Sequence, residues 1–413
     1  MNLIPRGCSG IGGELASCME DFRNRTLRLF ASYGYNPFNP AEFQLLEGTA
    51  ASLALRHRQR LIVLNSPFGE PCCLRADITL SAVSYLSQHF SPEDFPLRLC
   101  YAERVFAAPR PPKENLEETQ VGVELLGWEG AGADVEVVAL LLRALDRLGL
   151  DKSVVVLGDA SIVPRLFAGV DRMSGGLSRL LVDQLQEGAY YDYRRTVDAA
   201  ADLSEGDRGI LRELPALKGS ADVLAEAADL FGRFGSPEAA RLLHPLGELA
   251  RSLDRLGYGG RIRVDLGFIR DLGYYSGPVF NAYASPSGGL LGGGGRYDRI
   301  LSDIGLSCQA VGFGLRLRDL ALACKPKGCA TDALIWSGAL AADCAMRCAE
   351  SLSCRGVSVE LSWKLEENDS RALAHRRGCR WWVNLKDGYA EELATGVRVS
   401  PEEITSAGGA DGC

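Results

Sequence analysis

Three kinds of side chain gather between residues 270 and 298: a guanidinium, several tyrosine hydroxyls and a run of glycines. Arg270 stands four residues before Tyr274 and five before Tyr275. The stretch GLLGGGGRYD (289–298) then brings four consecutive glycines, Arg296, Tyr297 and Asp298. An arginine can grip a carboxylate through paired charge-assisted hydrogen bonds, and tyrosine hydroxyls can orient a polar ligand. Glycine-rich loops can also cradle phosphates, but two templates fail here. The Walker loop needs GxxxxGK followed by Ser or Thr, which is absent. A dinucleotide fingerprint needs a helix opening on its last glycine and an acidic residue about twenty positions on, and neither context fits. The run therefore reads as a hairpin turn with a close backbone approach, forming the wall of a small-molecule pocket. From the residues alone, Tyr274 and Tyr275 on opposite faces of a strand, one in the core and one wet, explain that pair equally well.

Other reactive side chains point elsewhere. Thirteen cysteines form no CxxC pair and read as free thiols. Cys344, Cys348 and Cys354 read as small, mostly buried helix residues, because a zinc site wants two close pairs or nearby histidines. The four histidines, His57, His89, His244 and His375, are scattered. No metal centre and no cofactor is expected, and no sequence motif supports a histidine-dependent nucleophile.

The elements that must position these groups follow from periodicity. Residues 14–34 carry apolar side chains at helical spacing and stop at Gly34. RLIVLNS (60–66) and EPCCLRAD (70–77) read as strands joined by PFG, followed by a helix over TLSAVSYLSQHF. PLRLCYAERVFA (96–107) and ETQVGVELLGW (118–128) read as an antiparallel pair, and residues 134–150 as an amphipathic helix. A strand at 153–159 precedes a helical stretch over about 160–258, in which Pro245 is expected to kink the helix that begins near Ser236. Strands at 261–269 and 277–284, the glycine run, and a strand running into a helix over 310–324 complete the first part. After the linker 325–332, strand and helix alternate over about 80 residues, as in a small α/β domain. The expected fold is α+β: an antiparallel sheet flanked by helices with a helical insertion, in a core spanning 1–324, followed by a second domain at 330–413.

The whole chain is consistent with this division. Its 413 residues suffice for two or three domains, and 46% are hydrophobic. No window holds 18 uncharged apolar residues and the N-terminus has no apolar signal block, so a cytoplasmic protein without a membrane span is expected. The formal charge is −8. From Lys325 onward there are 11 Lys and Arg against 13 Asp and Glu, a poor balance for neutralising RNA phosphates, so a nucleic-acid partner is not expected.

Several stretches together resemble the histidyl-tRNA synthetases. IRDLGYYSGPVF, GGRYD and AVGFGLRLRDL resemble their histidine-specific and third signature regions. LRADIT (74–79), ETQVGVELLG (118–127) and ADVEVVALLLRALDRLGL resemble the core of the same family in the same order, and IPRG and FASYGYNPFNPAEF its N-terminal helix and first motif. The resemblance runs from about residue 4 to 322, and the C-terminal piece looks like a shortened anticodon-binding domain. It implies a histidine pocket. Asp77 takes the place of the family's Glu at the substrate amino group, with Thr79 beside it. Gln120 and Glu124 match residues that contact histidine, Arg270, Tyr274 and Tyr275 match the Arg-x-x-x-Tyr-Tyr element, and Tyr297 closes the pocket. Gly273 replaces the family's Asp before the two tyrosines.

Two departures stand against adenylation. In VFAAPRPP, Ala107 occupies the position of the second-motif Arg that grips the ATP α-phosphate, and Pro109 that of the Glu. In the third motif Asp319 occupies the position of the Arg that holds the γ-phosphate, so a carboxylate faces the triphosphate. Loss of one positioned donor typically costs about 10²–10³ in rate. A chain that retains a histidine pocket but loses the ATP arginines resembles the regulatory subunits of ATP phosphoribosyltransferase. That resemblance implies a short-form catalytic subunit as partner, a synthetase-like dimer, a hetero-octamer, and histidine as feedback effector. An active histidyl-tRNA synthetase with displaced arginines is the competing expectation.

Overall fold

In this computed structural model the described residues are 3–51, 53, 55–109, 115–167, 176–201, 203–234, 240–268, 274–303, 305–306, 308–324 and 331–404. The chain forms two compact units, Met1–Lys325 and Pro326–Cys413.

The first unit is organised by a nine-stranded sheet. In chain order the strands of this unit are β1 (Asn36–Pro37), β2 (Phe43–Leu45), β3 (Val63–Asn65), β4 (Pro71–Leu74), β5 (Leu97–Phe106), β6 (Glu117–Leu126), β7 (Val154–Asp159), β8 (Lys218–Gly219), β9 (Ile262–Asp265), β10 (Pro278–Tyr283), β11 (Leu290–Arg296) and β12 (Ala310–Arg316). The large sheet runs β1-β5-β6-β12-β11-β10-β7-β9-β8, and a three-stranded sheet β2-β4-β3 stands apart from it. The five central strands pair antiparallel, while β1 with β5 and β7 with β9 pair parallel.

Strand period sorts the two faces of this sheet. On β6, Val121, Val123 and Leu125 are fully buried on one side, together with Val311, Phe313 and Leu315 of β12. Against that side packs the helix Gly13–Ser32, whose Phe22, Thr26, Leu29 and Phe30 form a buried stripe. The Phe30 ring meets Phe313 edge-on at 5.8 Å. The helix Ala131–Arg147 joins the same core with nine buried apolar residues, which explains why it tolerates almost no polar face in its middle. The opposite side of β6 carries Glu118, Gln120, Gly122 and Glu124, and that is the face of the site.

Several local expectations are corrected. The glycines 292–295 form no turn: they lie inside β11, hydrogen-bonded between β10 and β12. The chain reverses earlier, over residues 285–287. Pro245 does not kink a helix: it lies in the first turn of His244–Arg255, where a missing N–H costs nothing. The proposed cap Ser236 lies outside the described residues. The helical insertion also contributes a strand, β8, to the sheet edge. Tyr274 and Tyr275 are not on a strand; their rings lie together with centroids 4.8 Å apart.

The second unit holds a sheet β14-β13-β15-β16-β17, from β13 (Ala333–Trp336), β14 (Val359–Ser362), β15 (Trp381–Asn384), β16 (Tyr389–Glu392) and β17 (Arg398–Val399). The three parallel strands carry helices Ala342–Ser353 and Glu367–Arg377 between them; the β16–β17 hairpin has no counterpart in the expected alternation. Trp381 and Trp382 are both buried. Cys354, just after the helix Ala342–Ser353, is exposed, and Cys344 and Cys348 on that helix are half-buried, less covered than expected.

Candidate functional site

The site is built on three rungs of the sheet. Register places Glu103, Gln120 and Arg316 side by side on β5, β6 and β12. The next rung holds Tyr101, Gly122 and Gly314, and the next Leu99, Glu124, Gly312 and Gly295. Glycine here clears a floor. A Cβ on Gly312 would stand 1.9 Å from Oε2 of Glu124, and one on Gly122 would stand 2.0 Å from the Phe313 carbonyl oxygen. On Gly295 it would meet the Pro278 carbonyl at 2.8 Å and the Tyr275 ring at 3.0 Å. Gly312 thus leaves room for the Glu124 carboxyl, and Gly295, the last of the glycine run, for the Tyr275 ring.

A cavity of about 260 Å³ opens over this floor. Asp77, Thr79, Gln120, Tyr275 and Tyr297 line it, and Glu124 lies buried behind Thr79 and Tyr297. Glu124 accepts a hydrogen bond from the Tyr297 hydroxyl at 2.6 Å and another from Thr79 Oγ1 at 2.9 Å. Burial pushes the Glu124 carboxyl up to about 8, opposed by those two hydrogen bonds and reinforced by the nearby Asp77. Burial and the Glu124 charge push the Tyr297 hydroxyl well above its ordinary range. Asp77 caps the helix Ile78–His89 by accepting from the Leu80 N–H at 3.0 Å, and its other oxygen accepts from the Tyr274 hydroxyl at 3.1 Å. Tyr274 is therefore a buried prop beneath Asp77, while Tyr275 faces the cavity. Arg270 lies outside the described residues.

Tyr297 is held in turn from behind. Its neighbour Arg296 is buried and makes a two-pronged pair with Asp134, with Nη2 to Oδ2 at 2.9 Å and Nε to Oδ1 at 3.2 Å. Arg296 also donates to the Gln309 side chain at 2.6 Å. Burial raises the Asp134 carboxyl and the Arg296 charge opposes that rise.

A larger groove of about 1470 Å³ adjoins the cavity, and Arg60 and Arg316 line both. The two positions expected to have lost ATP contacts fall on different sides. Ala107 lines the small cavity and Asp319 the groove. Asp319 is paired: Arg316 donates to it through Nη1 at 3.2 Å. The same guanidinium meets Glu118 through Nε at 3.2 Å. One arginine between two carboxylates leaves this trio with a formal net charge of −1, so pairing softens the repulsion at Asp319 without reversing it.

Arg316, Arg60 and Tyr101 were not expected at the site. The alternation of β6 and β12, with polar residues or glycine at every second position, was the available signal for Arg316. Among the described residues no group of three His, Cys, Asp or Glu side chains could hold a metal ion. Among them, too, no helix is long and apolar enough to cross a membrane.

The family model for histidyl-tRNA synthetase matches residues 10–320. The ATP phosphoribosyltransferase regulatory subunit of Burkholderia lata is 34% identical over 321 residues, covering 77% of this chain and 81% of that protein. That of Moorella thermoacetica is 30% identical over 401 residues, covering 93% and 97%. The chain belongs to the ATP phosphoribosyltransferase regulatory subunit family. Among solved structures, an ATP phosphoribosyltransferase regulatory subunit/histidyl-tRNA synthetase from Bacillus halodurans superposes with a TM-score of 0.80 at 26% identity, covering 93% of this chain and 98% of that one. Histidyl-tRNA synthetase from Nostoc shares the fold with a TM-score of 0.79 at 17% identity, covering 97% and 96%. The family's synthetase-like core accounts for the mixed sheet and its flanking helices, and the floor of bare glycines lies within the matched region.

Proposed function

We propose that this chain is a non-catalytic regulatory subunit that activates a short-form ATP phosphoribosyltransferase catalytic subunit and takes part in feedback by histidine. The observation that carries the reading is a built amino-acid pocket beside a groove with little net positive charge. Asp77 faces the amino group, and Glu124, held by Tyr297 and Thr79, faces the imidazole. Gln120 and Tyr275 complete the wall, Tyr274 supports Asp77, and Arg270 is assigned to the same histidine pocket. On the ATP side, Ala107 offers no donor and Asp319 with Glu118 absorbs the Arg316 charge. Adenylation has no positioned cation at either departed position.

Regulation then works by linkage. Histidine binds one state of a hetero-octamer of dimeric, synthetase-like regulatory chains and catalytic subunits better than the other. It biases catalysis by that difference, typically about 1–3 kcal/mol. The glycine strand acts as a fixed floor in this scheme; a strand hydrogen-bonded on both edges cannot serve as the mobile lid that a glycine turn would provide.

The test is to mix the purified chain with a short-form catalytic subunit and measure phosphoribosyl-ATP formation with and without histidine. Stimulation on mixing and inhibition by histidine are expected; unchanged activity in both comparisons sinks the reading. An active synthetase would instead show histidine-dependent ATP–pyrophosphate exchange.

A further inference from the structure

The small cavity and the groove are neighbours, and Arg316 stands on the rung between them. It is the cross-strand neighbour of Gln120 and the first side chain on its face of β12 beyond Gly312 and Gly314. Its guanidinium is not free to swing. Nε is held by Glu118 from β6 and Nη1 by Asp319 from the helix Leu317–Cys324, both at 3.2 Å. Nη2 has no partner among the described residues. Two rungs from Arg316, Thr79 and Tyr297 line the cavity over the buried Glu124, and Asp77 lines it too, so a bound amino acid places its amino group and imidazole against these residues. Its carboxylate then points toward the end where Arg60 and Arg316 stand.

Resting on the proposal that the cavity takes histidine, we infer that Arg316 is a specificity-determining residue that ends the pocket at the ligand's carboxyl group. The pinned guanidinium admits a free amino acid, whose carboxylate meets Nη2. It excludes a ligand continued by an amide bond, because the next residue would have to occupy the Arg316 rung to reach the groove. Exclusion by a fixed side chain discriminates through a clash in the wrong complex rather than through a better contact in the right one. Removal of the side chain joins the two spaces.

The experiment is calorimetry on the full chain with two ligands, L-histidine and the dipeptide histidyl-glycine, which keeps a free amino group and imidazole. The wild-type chain is expected to prefer histidine by about tenfold or more. In Arg316→Ala the preference should collapse toward unity, mainly because the dipeptide gains. Arg316→Gln, which keeps most of the length, should give an intermediate ratio and serves if the alanine variant does not fold. A wild-type chain that binds both ligands alike overturns the inference, as does an unchanged ratio in a folded Arg316 variant; in either case the histidine reading stands. A wild-type chain that binds neither ligand removes the histidine reading itself and the inference with it.

Discussion

The Tyr297 hydroxyl donates to Glu124 over 2.6 Å across 173 residues of sequence, joining the strand end after the glycine run to the buried floor of β6. This bond ties β6 to the strand end at the pocket, and burial pushes its acid up to about 8.

Glu124 is raised from an ordinary carboxyl value of 4.5 to about 8. The folded state therefore binds a proton that the unfolded chain releases, and the stability it contributes is lost as pH rises through that window. Urea denaturation at several pH values between 5 and 8 should show wild type losing stability relative to Glu124→Gln. The steepest slope should be about 1.4 kcal/mol per pH unit. A pH-independent difference between the two would mean that Glu124 ionises normally.

Gly312→Ala places a methyl group where Oε2 of Glu124 lies. The carboxylate must leave its hydrogen bond to Tyr297 or the strands must part. A destabilisation of about 1–3 kcal/mol is expected, as for other overpacked cores. Histidine affinity should fall at least tenfold in calorimetry, and retained affinity would show that Glu124 is not a ligand group.

Arg296→Met unpairs a buried carboxylate at Asp134. The expected loss is about 3–5 kcal/mol in chemical denaturation. The double variant Arg296→Met with Asp134→Leu should recover much of it, because both charges are then gone. No recovery would locate the cost in Gln309 or the Gly130 carbonyl instead.

Arg75, directly after β4, is fully buried, pairs with Glu103 at 2.9 Å and donates to the Arg104 and Pro40 carbonyls. Arg75→Leu should cost about 3–5 kcal/mol by leaving these acceptors unmet. Thermal unfolding within about 1 °C of wild type would contradict that role.

Histidine-dependent ATP–pyrophosphate exchange should be absent from the purified chain. Appreciable exchange would restore the synthetase alternative and make the Arg316 pairing with Asp319 a resting state that ATP displaces.

The sequence by itself determined the α+β fold, because alternation on strands such as 118–126 and helical spacing on 14–34 are local properties of the chain. Ordered motifs likewise singled out Asp77, Thr79, Gln120, Glu124, Tyr274, Tyr275 and Tyr297, and the structure brings all of these described residues to one place. Only the tertiary structure decided what the glycines do: no local rule distinguishes a glycine turn from a glycine strand whose last missing side chain makes room for Tyr275. The Arg316 trio was only partly legible: Asp319 lies three residues on, but Glu118 comes from a neighbouring strand. Ion pairing depends on distance in space, which the sequence does not give for a partner on another strand such as Glu118.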